Sequence, residues 1–139
     1  MKRVYIDGIF DLFHRGHLES LKQAKNVDNN VYLIVGVISD KDARDYKRVP
    51  VINQEDRTEI IKGFKIVNEV IDNAPLILTK EFINIHKIDL VVHGFCNDDD
   101  WDKQKLFFEY LIKEDKFQRI DYYSKTSTTD IINKIKHSY

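Results

Sequence analysis

The chain has 139 residues, 42% hydrophobic and 32% charged, with a formal net charge of −1. That length suits one domain with its own core, and the composition excludes disordered and fibrous classes. The near-neutral balance gives no long-range pull toward nucleic acid or anionic lipid. Cys96 is the only cysteine, so no internal disulfide forms and a reducing, cytoplasmic setting is expected. The N-terminal apolar stretch, broken at Asp7, is too short for a signal peptide. No window reaches the roughly 20 apolar residues of a membrane span.

Residues 4–6 predict a first strand, and a helix over 17–25 follows with Leu18, Leu21 and Ala24 along one side. Residues 31–38 are almost wholly apolar, as in a parallel strand covered on both faces. Asn53 offers an N-cap for a helix through residue 64, with Ile60, Ile61 and Phe64 turned inward. Residues 67–71 give a third strand, broken by Asn73-Ala74-Pro75. Then come a helix over 79–86, a fourth strand over 89–92, a polar loop over 93–102, a helix around 106–112 and a short edge strand over 119–122. Ser127-Thr128-Thr129-Asp130 matches a capping box that opens a last helix, with Ile131, Ile132 and Ile135 on its buried side.

Five strands with intervening helices imply an α/β fold: a single doubly wound, Rossmann-like domain over residues 1–139 with a five-stranded parallel sheet. In such sheets ligands collect beyond the carboxyl ends of the strands, where the strand order switches. The loops beginning at Asp7, Ser39, Asp72 and His93 lie on that edge.

The segment Asp7-Gly8-Ile9-Phe10-Asp11-Leu12-Phe13-His14-Arg15-Gly16-His17 carries the chemistry. Gly8 directly after the first strand lets the backbone approach a ligand closely. His14 and His17, three apart at a helix start, can turn both imidazoles toward one site. Helix N-terminal amides and the dipole add an anion-binding end there. A bare H-x-x-H is most often two surface or core-edge histidines. Zinc is a further alternative, for which His93 and Cys96 would be weak additional ligands. The strand, the D-G, the F-D and the H-x-G-H together are far more specific than the histidines alone.

That segment resembles the signature of the cytidylyltransferase family, and the chain is similar to choline-phosphate cytidylyltransferase catalytic domains over nearly its whole length. Residues 32–37, Ser39-Asp40, Val67, Glu69, Val70, Asn73-Ala74-Pro75, Leu78-Thr79, Glu81-Phe82 and residues 127–131 all find counterparts in the same order. The resemblance implies transfer of CMP from CTP to a phosphorylated alcohol, most closely phosphocholine, with release of pyrophosphate and help from Mg2+. Phosphoethanolamine and glycerol 3-phosphate are the alternative acceptors, and a non-catalytic nucleotide-binding protein is the alternative of another class. By the family pattern His14, His17 and Lys47 act on the phosphates. Gly8, Ile9, Phe10, His93, Gly94, Ser127 and Thr128 bind CTP. By spacing alone Lys47 reads equally as a solvated loop lysine, Ser127 and Thr128 as plain helix caps, and His93 as uninformative. Arg57 matches a family arginine and is considered for a phosphate contact, with an ordinary surface charge the equal alternative.

The sequence departs from the family pattern in three places. The family's phosphate-gripping arginine falls at Tyr122, which cannot supply its charge; Arg119 or Lys125 is considered in its stead. Leu76 stands where choline enzymes place a tryptophan, so the acceptor pocket is assigned to Asp11, Leu76, Phe95 and Trp101, of which the two aromatic faces would suit a quaternary ammonium. The sequence ends at Tyr139 without the long amphipathic helix of the animal enzymes, so no lipid switch and no stable membrane anchor are expected. A homodimer is expected from the resemblance. The metal's ligands are not assigned.

Overall fold

The computed structural model describes all 139 residues. Five strands, β1 (Lys2–Gly8), β2 (Val31–Ile38), β3 (Glu69–Ala74), β4 (Leu90–Gly94) and β5 (Phe117–Ile120), form one parallel sheet in the order β3-β2-β1-β4-β5. The chain builds outward from β1 to β3, then crosses back to lay β4 on the other side of β1. The switch point therefore lies between the carboxyl ends of β1 and β4, where ligands bind in open α/β sheets.

Side chains alternate across a strand, and both faces of this sheet are covered, so β1 and β2 read as continuous apolar runs. Val4, Ile6, Leu33, Val35 and Val92 point into one core, closed by Leu21 and Ala24 of helix α1 (Arg15–Lys25) and Ile61 of α3 (Gln54–Lys62). Tyr5, Ile34 and Val91 point into the other. There Ile83 of α4 (Lys80–Ile85), Phe108 of a 3-10 turn (Lys105–Phe108) and Leu111 of α6 (Glu109–Lys113) meet them. Each such aliphatic or aromatic side chain contributes about 1.5–3 kcal/mol by leaving water. Gly36 interrupts β2 because the Tyr5 ring crosses it: a Cβ there would collide with the Tyr5 hydroxyl and sit 2.9 Å from the Ala74 Cβ.

The sheet and the two long N-capped helices agree with the sequence reading, and several details do not. Residues 40–46 form a helix, α2 (Asp40–Tyr46), capped by Ser39, and the polar loop contains α5 (Asp98–Gln104), capped by Asn97. β3 runs on through Asn73 to Ala74, since Ala74 pairs with Ile38 beyond a register shift in β2. Ile61 is fully buried, but its neighbour Ile60 is 40% exposed, because only one side of α3 meets the sheet. β5 lies two residues earlier than expected. The last helix, α7 (Thr128–Ser138), lies at the surface: Ile131 and Ile132 are half-buried and Ile135 is 51% exposed.

Candidate functional site

Two residues of the loop after β1, Phe10 and Leu12, hold the left-handed backbone region at φ 55° and 48°. Non-glycine residues pay about 1–3 kcal/mol each for that conformation, and the reason for it is Asp11 between them. The Asp11 carboxylate is buried and accepts from the Ile52 amide through Oδ1 at 2.8 Å, and from the Val51 amide and Arg48 Nη1 through Oδ2 at 2.8 and 3.0 Å. Burial alone would raise its pKa; the two amides and the guanidinium outweigh burial and hold it below the ordinary value. Asp11 thus ties the segment after α2, which carries Lys47 and Arg48, to the signature loop.

His14 is not in the first turn of α1 but is its N-cap. Its Nδ1 accepts from the Gly16 amide at 3.0 Å, and the Nδ1 of His17 accepts from the His14 amide at 3.2 Å. The two histidines close a capping box with imidazoles in place of a hydroxyl and a carboxylate. Since both Nδ1 atoms accept, each neutral ring carries its proton on Nε2. Gly16 is required at this point: a Cβ would lie 2.7 Å from His14 Cε1 and 3.2 Å from the Thr126 carbonyl. The rings lie 3.9 Å apart, centre to centre. Burial lowers the pKa of His14. For His17 burial, then the adjoining His14, push it down to about 3, with Asp11 opposing and Lys47 adding to the fall. Both imidazoles are therefore neutral Nε2–H donors at pH 7.

Thr128, the first residue of α7, joins this cluster. Its hydroxyl donates to the Asp11 carbonyl at 3.1 Å and lies 3.3 Å from His14 Nε2, whose hydrogen it can accept. Ser127 caps α7 by accepting from the Asp130 amide at 3.1 Å. The N-termini of α1 and α7 thus sit side by side, and their dipoles add.

A cleft of about 430 Å³ opens at the switch point, lined by Gly8, Ile9 and Phe10 after β1 and by His93 and Gly94 at the end of β4. His17, Lys47 and Thr128 line it as well, with His14 and Ser127 adjoining. His93 Nδ1 stands 3.3 Å from Asp7 Oδ1, yet the approach is too bent for a hydrogen bond, which leaves a buried ring nitrogen without a partner beside the cleft.

Of the remaining sequence-predicted residues, Leu76 lines the cleft. Phe95 and Trp101 do not. Phe95 is buried in the second core, and the two rings already hold the Arg119 guanidinium, 5.2 and 5.0 Å from their centres. A cation already occupies the surface read as an acceptor pocket, and Arg119 does not line the cleft. Arg57 is not a surface charge: it is fully buried and its guanidinium is committed to the Ile9, Ile38 and Ile52 carbonyls and to Asp40. It holds the floor of the cleft and does not line it. Sequence reasoning missed Tyr46, Arg48, Asp100 and Phe107, all of which line the cleft. Asn97 and Asp100, three apart, carried the capping signal that places α5 there.

No group of three or more His, Cys, Asp and Glu side chains is positioned to hold a metal ion, and no helix is long and apolar enough to cross a membrane. Both Asp11 oxygens are spoken for. The donor set offers no protein cage, so a divalent cation would have to be held largely by substrate phosphates and water.

Residues 5–134 match the family model described as Cytidylyltransferase-like. Over 99% of its length the chain is 41% identical to the probable choline-phosphate cytidylyltransferase of Schizosaccharomyces pombe. Over 96% it is 34% identical to the ethanolamine-phosphate cytidylyltransferase of Dictyostelium discoideum. It spans 38% and 36% of the lengths of those two proteins. The solved structure of the lipopolysaccharide core biosynthesis protein from Thermoplasma volcanium superposes with a TM-score of 0.71 at 26% identity, covering 89% of this chain and 99% of that one.

Proposed function

The chain belongs to the cytidylyltransferase-like family, and on that premise we propose that it transfers CMP from CTP to phosphocholine, giving CDP-choline and pyrophosphate. The observation that carries this reading is the convergence of two neutral imidazoles, two helix N-termini and Lys47 on one cleft at the switch point. Every one of these groups offers hydrogen-bond donors or positive potential, which suits a triphosphate.

In this reading an oxygen of the acceptor phosphate attacks the α-phosphorus of CTP, and the bond from that phosphorus to the α,β-bridging oxygen breaks. Pyrophosphate carries the electron pair away, and no covalent enzyme intermediate forms. Such a displacement requires positioning and charge neutralisation more than covalent chemistry. The Nε2–H of His17 donates to a phosphoryl oxygen, that of His14 does so on exchanging Thr128 for phosphate, Lys47 neutralises charge between the two substrates, and Thr128 and the α7 amides receive the triphosphate. Gly8, Ile9 and Phe10 offer backbone contacts, and His93 and Gly94 face the nucleoside. Magnesium, arriving on the phosphates, supplies further charge neutralisation. Two copies pairing through the signature loop and residues 65–70, at work in the cytoplasm, complete the proposal.

Pyrophosphate release measured with CTP, magnesium and each of phosphocholine, phosphoethanolamine and glycerol 3-phosphate tests it. The expected result is fastest turnover with phosphocholine. Phosphoethanolamine is the second reading, favoured by the likeness to an ethanolamine-phosphate enzyme. CTP binding without pyrophosphate release from any acceptor would refute catalysis and leave a nucleotide-binding protein.

A further inference from the structure

Among the charged side chains that line the cleft, three are cations, Lys47, Arg48 and Lys103, and they differ in what already holds them. Arg48 is committed to the buried Asp11 carboxylate. Lys47, directly after α2, and Lys103, in the last turn of α5, have no carboxylate within ion-pair distance and no hydrogen-bond acceptor. For Lys103 the reason lies one turn back on its own helix. Asp100 has one oxygen on the Cys96 amide at 3.1 Å and the other on Gln104 Nε2 at 2.7 Å, so neither turns to the lysine.

The two free lysines border the same stretch of the cleft. The rings of Tyr46 and Phe107 meet edge to face with centres 5.4 Å apart and join the end of α2 to the 3-10 turn that follows α5. Lys47 follows Tyr46 in the chain, and Lys103 lies four residues before Phe107, on the side of the helix that lines the cleft. Lys47 acts on both His17 and Cys96, so it stands between the histidines and the α5 wall. Lys103 lies beyond it, apart from the donors gathered at the N-termini of α1 and α7.

We propose that Lys103 is a second cation for the acceptor phosphate, gripping it from the α5 wall while Lys47 holds it from the α2 side. In the transfer proposed above, a phosphate monoester carrying about −1.5 to −2 charges must approach a triphosphate. The repulsion between them grows as the attacking oxygen nears the α-phosphorus, and one lysine leaves it partly uncompensated. An ammonium on a flexible four-carbon stem can follow that oxygen inward. Lys103 has no partner to give up before it does so.

The inference rests on the proposed cytidylyl transfer, and the test separates the two. Steady-state rates of pyrophosphate release are measured for the wild type, Lys103→Ala and Lys103→Arg, with phosphocholine, glycerol 3-phosphate and CTP varied in turn. Lys103→Ala is expected to raise the KM for phosphocholine about tenfold and to leave the KM for CTP within about twofold. Glycerol 3-phosphate carries the same phosphate without an amine, so its KM should rise by a similar factor. Lys103→Arg keeps the charge and should stay within about threefold of the wild type. Lys103 is exposed and makes no hydrogen bond, so thermal unfolding of both variants should match the wild type. A wild type active with phosphocholine and an unchanged acceptor KM in Lys103→Ala would overturn the inference while leaving cytidylyl transfer intact. A rise confined to the KM for CTP would place the lysine on the triphosphate, and a loss seen with phosphocholine alone would tie it to the amine; either result overturns the assignment. A wild type that releases no pyrophosphate with any acceptor removes both.

Discussion

Replacing Arg57 with methionine removes a guanidinium from the centre of the molecule and leaves its volume filled. Four hydrogen bonds go: to the carbonyls of Ile9 at 2.6 Å, Ile38 at 2.9 Å and Ile52 at 2.9 Å, and to Asp40 Oδ1 at 2.6 Å. A buried acceptor left without a donor costs about 1–3 kcal/mol. Ile9 and Ile38 line the cleft and can take water, and the Asp40 side chain, 46% exposed, can rehydrate. The net loss should therefore fall near 3–4 kcal/mol, toward the lower end for a broken buried pair. For a urea slope of about 1.5 kcal/mol/M, the unfolding midpoint should drop by roughly 2 M. Arg57→Lys keeps the charge but not the planar fork and should recover less than half of the loss. Urea unfolding followed by circular dichroism measures both. A midpoint unchanged within about 0.5 M, alongside a CTP KM raised tenfold, would mean that Arg57 grips phosphate instead and that the structural reading is wrong.

His17→Ala should lower kcat by at least about a hundredfold, because an Nε2–H donor is lost at the reacting phosphates. It should also cost about 1 kcal/mol of stability, because the His14 amide loses its cap; near-normal turnover would sink the role given to this ring. His17, held near pKa 3 when folded against an ordinary 6.5 when unfolded, is neutral in both states above pH 6.5. Below that the unfolded chain takes up the proton first, so stability is lost as pH falls from 6.5 toward 3, at up to about 1.4 kcal/mol per pH unit from this ring. Nuclear magnetic resonance should show no titration of His17 between pH 5 and 8 in the free protein, and a midpoint near 6.5 would contradict its burial. Gly16→Ala should displace the His14 ring and reduce kcat more than tenfold with the sheet intact; unchanged kinetics would show that the close approach is not needed.

The sheet was legible because its strands are long apolar runs whose two faces are both buried, and the caps at Asn53 and Ser127 were legible because capping is a local hydrogen bond. The helices α2 and α5 were not. Each has seven residues, α2 buries only Ala43 and α5 buries none, so no apolar period marks them. What remained were short cap signals, Ser39 before Asp42 and Asn97 before Asp100, without the hydrophobic stripe that makes such signals persuasive.

The site divides along a similar line. Residues that act through their backbone position, namely the loop after β1, the end of β4 and the start of α7, follow from strand order alone, since topology brings those segments to one edge. What a long side chain does there depends on where its partners lie, and those partners are distant in sequence. Arg57 reaches back 48 residues to Ile9, and Asp11 reaches forward 41 residues to Ile52. Phe95 and Trp101 sit in the right loop but face Arg119 on β5. Tyr46 and Phe107 lie 61 residues apart and meet only because α2 and the 3-10 turn flank the same cleft. A charged or aromatic residue near a motif is thus divided between scaffold and site by whether the fold has already filled its donors, acceptors or ring face. By that criterion Arg57, Asp11, Phe95 and Trp101 belong to the scaffold, and the single Nε2 hydrogen of His17 is what the signature segment still has to offer the cleft.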